Sequence, residues 1–155
     1  MNLNERVALY ADKTGTEVNV DLKALEQDRD FRRVVVEEVV KYVKETKACV
    51  WIPALPSQNN LSKVINEIAL SLQVETLTTG NIRNLKRLRA RPEKVIVIKQ
   101  SFCTGKQLAE DIKQAKEFGC DVRVLCLISH SSERFKEFAR NNNVKMKALV
   151  FTDEI

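Results

Sequence analysis

Residues 95–98 read Val-Ile-Val-Ile, four β-branched side chains in succession. A run with no polar alternation fits a central parallel strand covered on both faces. Elsewhere the apolar periodicity switches regularly between strand-like runs and helix-like stripes. Val18 to Leu22 reads as a short strand, and residues 30–47 as a helix whose stripe is Phe31, Val35, Val39, Tyr42 and Val43. Residues 48–52 form a buried strand stopped by Pro53, residues 60–72 a second helix, and Val74 to Leu77 a weak strand. After the 95–98 strand, the stretch 99–105 reads as a loop leading into a helix over 106–118, with Leu108, Ala109, Ile112 and Ala115 inward and Gly119 as its stop. Val122 to Ile128 is another buried strand. Ser131 or Ser132 caps a helix buried through Phe135, Phe138 and Ala139, and Ala148 to Phe151 supplies a last strand, with Lys145 and Lys147 as surface charges ahead of it.

This pattern predicts an α/β fold: one domain over 1–155, its parallel sheet flanked by helices, with an N-terminal segment over 1–25 and an α/β core over 26–155. The strands near 48–52, 95–98 and 122–128 are expected side by side. In such sheets ligands bind beyond the carboxyl ends of the strands, so chemistry is sought there.

Composition narrows the function classes. The 155 residues carry 26 Lys and Arg against 21 Asp and Glu, a net charge of +5 that suits phosphate-bearing ligands but is no polybasic arm. No apolar run approaches the roughly 18 residues of a membrane helix. The amino terminus lacks a basic segment followed by an apolar stretch, so a cytoplasmic protein without membrane attachment is expected. The four cysteines, Cys49, Cys103, Cys120 and Cys126, include no C-x-x-C pair and have only His130 to complete a metal set, so no structural metal is expected. There are four glycines, where an average domain of this size carries roughly eleven. They cannot spell a G-x-G-x-x-G turn, and Gly105-Lys106 is no Walker A loop because residue 100 is Gln.

A strand that ends in a small-residue loop and opens a helix aims free backbone N–H groups and the positive end of the helix dipole at one point, where phosphate fits. In the stretch from Ser101 through Cys103, Thr104, Gly105, Lys106 and Gln107, Thr104 can donate its hydroxyl, Gly105 lets the backbone come close, and Lys106 adds charge. The same residues also describe an ordinary strand-to-helix turn with Thr104 capping the helix.

The segment Val95-Ile-Val-Ile-Lys-Gln-Ser-Phe-Cys-Thr-Gly105 resembles the signature of type I phosphoribosyltransferases, in which four apolar residues precede two acidic residues, two apolar residues, Thr-Thr-Gly and a helix. The resemblance is closest to orotate phosphoribosyltransferase and extends over most of the chain. Thr14-Gly15 with Val18 to Leu22 is similar to that family's amino-terminal Ser-Gly and Tyr-x-Asp-Leu region. Trp51-Ile-Pro53 with the following helix looks like its first core strand and helix, and the ending from Lys147 to Ile155 resembles its carboxyl-terminal strand.

The resemblance implies a magnesium-assisted transferase, and the departures from it imply otherwise. Where the family has its acidic pair, this chain has Lys99 and Gln100. Magnesium prefers oxygen ligands and tolerates an adjacent ammonium poorly, so no magnesium cofactor is expected to be required. The diphosphate loop corresponds to residues 53–58, which contain no glycine, and the catalytic loop corresponds to 78–94, which contains no His. Ser129-His130 replaces an Asp-Arg pair that contacts orotate in the family. Trp51, Lys99, Gln100 and His130 are thus the ligand-proximal residues, and Trp51 serves either packing or base stacking.

Arg83, Lys86, Arg87, Arg89 and Arg91 concentrate five cations within 82–91, with Leu85 and Leu88 three apart. They read as a nucleic-acid patch or as a solvated element whose leucines tuck into the core; the lack of interleaved aromatics favours the second. Cys103 with His130 is conceivable as a nucleophilic pair, but no orienting acid accompanies it. Cys49 and Cys126 lie in apolar runs as core residues.

Three function classes follow. The first is an orotate-phosphoribosyltransferase-like protein of pyrimidine nucleotide metabolism, catalytically degenerate, binding phosphate or a nucleoside monophosphate in a regulatory or partner-subunit role. The second is an active phosphoribosyltransferase with an altered site. The third is a nucleic-acid-binding or assembly protein that uses residues 82–91. The resemblance and the short length also imply a homodimer.

Overall fold

The computed structural model describes residues 2–15, 17–53, 61–74, 76–88, 92–102 and 105–155. In chain order its elements are α1 (Leu3–Ala8), β1 (Ala11–Asp12), β2 (Asn19–Val20), α2 (Leu22–Gln27), α3 (Arg29–Thr46), β3 (Cys49–Trp51), α4 (Ser62–Gln73), β4 (Thr78–Thr79) and a 3-10 helix (Ile82–Arg87). They continue with β5 (Lys94–Phe102), α5 (Lys106–Glu117), β6 (Asp121–Ser129), α6 (Ser132–Asn141), β7 (Lys145–Phe151) and a closing 3-10 turn (Thr152–Glu154).

Five strands form one parallel sheet in the order β4-β3-β5-β6-β7, so the three strands expected to be neighbours are neighbours. β5 lies at the centre. Its Ile96 and Ile98 face a core built with Val35, Val39 and Val43 of α3 and Val64, Ile65 and Ile68 of α4. Its Val95 and Val97 face a second core with Leu108, Ile112 and Ala115 of α5 and Phe135 of α6. Burial on both faces is why this strand tolerates no polar alternation at 95–98. No described helix is long and apolar enough to cross a membrane.

Several boundaries depart from the sequence reading. The strand predicted over 18–22 is only Asn19–Val20, paired antiparallel with β1 in a separate small hairpin, because Asp21 caps α2 by accepting from the Ala24 N–H at 3.0 Å. The weak strand predicted over 74–77 lies instead at Thr78–Thr79; Val74 ends α4 and is exposed. The stretch 99–102 is strand rather than loop, since β6 continues alongside it and pairs Lys99 with Cys126, Ser101 with Ile128 and Phe102 with Ser129. Lys145 and Lys147 lie within β7, not ahead of it, and Lys147 Nζ sits 5.2 Å from the centre of the Tyr42 ring.

The amino-terminal segment is tied to the core through Asp28, the N-cap of α3. Its carboxylate accepts from the Phe31 N–H at 2.9 Å and from the Tyr10 hydroxyl at 2.7 Å, with Arg6 Nη1 at 3.5 Å. Burial pushes this carboxyl upward, but the Tyr10 and Phe31 hydrogen bonds and the Arg6 charge outweigh it and hold the pKa below its ordinary value.

The junction of β5 and α5 is fixed by an aromatic cluster. Phe102 packs edge-on against Phe135 and Phe138 at centroid distances of 5.5 and 5.1 Å, and Phe135 against Phe151 at 5.2 Å. Gly105, the N-cap of α5, has φ +71°, and a Cβ there would lie 2.5 Å from Cε2 of Phe138 and 2.8 Å from Cε2 of Phe102. Only glycine meets both demands.

Two predictions follow from this packing. Gly105→Ala is expected to destabilise the protein by roughly 2–4 kcal/mol in urea denaturation, from left-handed backbone strain plus overpacking. For Asp28 the ionised form is favoured by folding, so its stabilisation is present above the unfolded value of 3.8 and is lost as pH falls through the lower folded value. Asn keeps the cap, so in thermal melts the gap between wild type and Asp28→Asn should stay constant above pH 3.8 and shrink below it.

Candidate functional site

Parallel strands converge their carboxyl ends on one edge, which here carries Trp51, Thr79, Phe102, Ser129 and Phe151. At the centre of that edge α5 begins. Its N-cap is a glycine, which has no side chain to accept from the first-turn N–H groups, and Lys106 stands exposed at its first position. The neighbouring α6 is served differently. Ser131 Oγ accepts from the Arg134 N–H at 3.2 Å, and Asp153 Oδ2 accepts from the N–H and hydroxyl of Ser132 at 2.9 and 3.1 Å. The positive φ and the two phenylalanine rings already require glycine at 105 from within the protein.

Lys99 and Gln100 are both committed to the protein. Lys99 Nζ lies 3.6 Å from Asp111 Oδ2, with the two side chains 21% and 8% exposed. Gln107 Nε2 donates to the other Asp111 oxygen at 3.1 Å. The Lys99 charge is therefore compensated within the protein. Gln100, on the other face of β5, accepts from the Leu61 N–H at 3.2 Å through Oε1 and fastens the start of α4.

Sequence reasoning missed Asp111. The signal was present, because 108, 111, 112 and 115 make one helical stripe and a carboxylate within it needs a buried partner. At the Lys99–Gln100 position the adjacent carboxylate of Asp111 is held by an ammonium and an amide.

The remaining candidates are spread out. Trp51 is 4% exposed and packs with Ile82, Leu85 and Val97, so packing is the role its ring plays. His130 is exposed at the exit of β6, where its N–H donates to the Phe102 carbonyl at 3.5 Å and its carbonyl accepts from the Thr152 hydroxyl at 3.3 Å. It lines a groove of about 480 Å³ with Glu17, Asn19, Ser131 and Arg134. Ser101 is a half-buried strand residue. Cys103 and Thr104 lie outside the described residues.

Cys49 and Cys126 are poor nucleophiles. Burial pushes the Cys126 thiol up to about 12, with Lys99 pulling weakly the other way, and burial also raises Cys49. In the basic segment Ile82 and Leu85 are buried, Leu88 is partly buried, and Lys86 Nζ sits 5.2 Å from the centre of the Phe118 ring. Arg83 and Arg87 are exposed, whereas Arg89 and Arg91 lie outside the described residues. The element is thus anchored through its apolar side, as the solvated-element reading expects. Residues 54–58 of the expected diphosphate-loop stretch are also outside the described residues.

The sequence matches no protein-family model, and no curated protein matches it. Solved structures do match. The APRTase of Giardia lamblia complexed with 9-deazaadenine superposes with a TM-score of 0.68 at 14% identity, over 97% of this chain and 98% of that one. The orotate phosphoribosyltransferase of Aeropyrum pernix gives 0.64 at 15% identity, over 98% and 95%. The orotate phosphoribosyltransferase of Mycobacterium tuberculosis in complex with inorganic phosphate gives 0.60 at 10% identity, over 99% and 89%. With the strand order and the helices on both faces of the sheet, these full-length superpositions establish that the chain has the phosphoribosyltransferase fold.

Proposed function

We propose that this chain is a phosphoribosyltransferase-like protein that has lost transferase chemistry and holds a phosphate-bearing ligand, a nucleoside monophosphate in the first instance, at the start of α5, in a regulatory or partner-subunit role. The observation that carries the reading is the wiring of Lys99 and Gln100. At the two positions where the family resemblance implies carboxylates open to ligand and metal, one side chain is locked to Asp111 and the other to the α4 backbone. A charged nucleotide moiety lacking a metal partner there must be held by fixed donors instead.

Those donors are the first-turn N–H groups of α5, which lack a capping side chain at Gly105, and the exposed ammonium of Lys106. The helix dipole adds to them in sign. One structural neighbour is an orotate phosphoribosyltransferase solved with inorganic phosphate, which agrees with phosphate chemistry on this fold. Loss of transfer is argued from interacting parts. Without carboxylates for metal and ribose, and without a His in the 78–94 interval, positioning and charge stabilisation fall together.

Purified protein with phosphoribosyl diphosphate, magnesium and either orotate or adenine is expected to show no base-dependent diphosphate release; turnover at an ordinary enzymatic rate of about 1 per second or more rejects degeneracy and favours an active enzyme with an altered site. Lys106→Glu places a negative charge in the first turn, which suits the helix dipole and leaves folding intact. It is expected to weaken binding of uridine 5′-monophosphate by about ten-fold in calorimetry. Wild-type affinity in that variant removes the α5 start as the phosphate site. Salt-sensitive binding to oligonucleotides with no response to the monophosphate would instead favour the basic segment.

A further inference from the structure

The amino-terminal edge of the sheet carries a cleft of about 860 Å³, walled by the ends of α5 and α6 and the first residues of β6 and β7. Three of these elements each bring a cation: Lys116 from the last turn of α5, Arg140 from the last turn of α6, and Lys145 from the head of β7. The one carboxylate lining the cleft is Asp121, at the head of β6. Val122, Ala139 and Val144 add apolar lining. Because α5 spans 12 residues, the cleft lies about 16 Å from the α5 start, at the opposite edge of the sheet.

Lys116 has work within the fold: its Nζ donates to the carbonyls of Asn142 and Asn143, each at 2.9 Å, and so closes the end of α6. Arg140 and Lys145 are exposed, and among the described residues their side chains make no ion pair or hydrogen bond. The position of Arg140 suits the dipole of α6. That of Lys145 has no such reason. It stands in register with Arg123 on the neighbouring strand, and like charges directly opposite each other destabilise a sheet. Three cations around one carboxylate leave an excess of two positive charges, and a cleft concentrates such a field. What the cleft lacks is an anion.

We propose that this cleft is a second anion site, which takes the polyphosphate of a nucleoside triphosphate through Lys116, Arg140 and Lys145. A triphosphate matches the cleft in two respects. It offers as many charged groups as there are cations, and a nucleotide is of a size that a cavity of several hundred Å³ accepts. The guanidinium of Arg140 suits a phosphate best, because it can donate two parallel hydrogen bonds to one group. This site does not depend on the α5 start, with which it shares no residue. Because the Arg140 and Lys145 side chains have no partner among the described residues, replacing them should leave folding intact.

Calorimetric titration of the full-length protein with adenosine triphosphate, inorganic triphosphate and adenosine, all with EDTA present, tests the site. Both triphosphates are expected to bind saturably, and adenosine is not. The double variant Arg140→Gln with Lys145→Gln should melt as wild type does and bind adenosine triphosphate at least about ten-fold more weakly. Lys145→Gln alone, which lies outside any helix, should weaken it in the same direction, and Lys145→Arg should restore it. Lys106→Glu should bind the triphosphate as wild type does, which separates this cleft from the α5 start. Wild-type affinity in the double variant overturns the proposal, as does weakening confined to Lys106→Glu, which would place the triphosphate at the α5 start. Adenosine binding as tightly as its triphosphate also overturns it, because charge is then not what the cleft reads. A response to single-stranded oligonucleotides with none to either triphosphate would replace the small ligand by a nucleic acid and reject it as well.

Discussion

A strand at the centre of a parallel sheet has no face turned to water, so every polar side chain it carries must be met from within the protein. β5 satisfies this requirement through its apolar run and then, beyond Ile98, places Lys99 and Gln100 in succession. Alternation sends them to opposite faces. Lys99 meets Asp111 of α5, and Gln100 meets the backbone at the start of α4. These two contacts tie a helix layer on each side to the same stretch of strand. The edge at which a ligand would arrive is therefore held by side chains that the resemblance had assigned to the ligand itself. Breaking one partner of such a half-buried ion pair leaves a charge without compensation, so Lys99 and Asp111 constrain each other's replacement.

The same arrangement decides how the fold and the site relate to known enzymes. Identities of 10–15% over nearly whole chains leave the architecture recognisable and say nothing about chemistry. At the level of individual groups, Lys99 and Gln100 stand where the resemblance implies a carboxylate pair. The donors at the start of α5 are its first-turn N–H groups and the exposed Lys106.

Much of the fold was legible from periodicity. The run 95–98 marked the central strand, and the stripes of α3, α4, α5 and α6 marked the covering helices, because burial leaves an unmistakable spacing in apolar residues. The extension of β5 to Phe102 was not legible, since Lys-Gln-Ser looks like a loop until β6 is seen to continue beside it. Thr78–Thr79 is too short a strand to carry any periodicity. Of the site, the helix start and Lys106 were readable locally. The pairing of Lys99 with Asp111 depends on tertiary register. Gly105 shows the difference most clearly: in the sequence it reads as room for a ligand, and in the fold its positive φ and two phenylalanine rings give a packing reason that only tertiary structure supplies.

The central claim is that a phosphate-bearing ligand is held here by protein donors with no metal between them. Calorimetric titration of uridine 5′-monophosphate into the same preparation, once with EDTA and once with excess magnesium, tests it most directly. Saturable binding of equal affinity in both conditions is the predicted result. Binding that appears only with magnesium, or in neither condition, contradicts it.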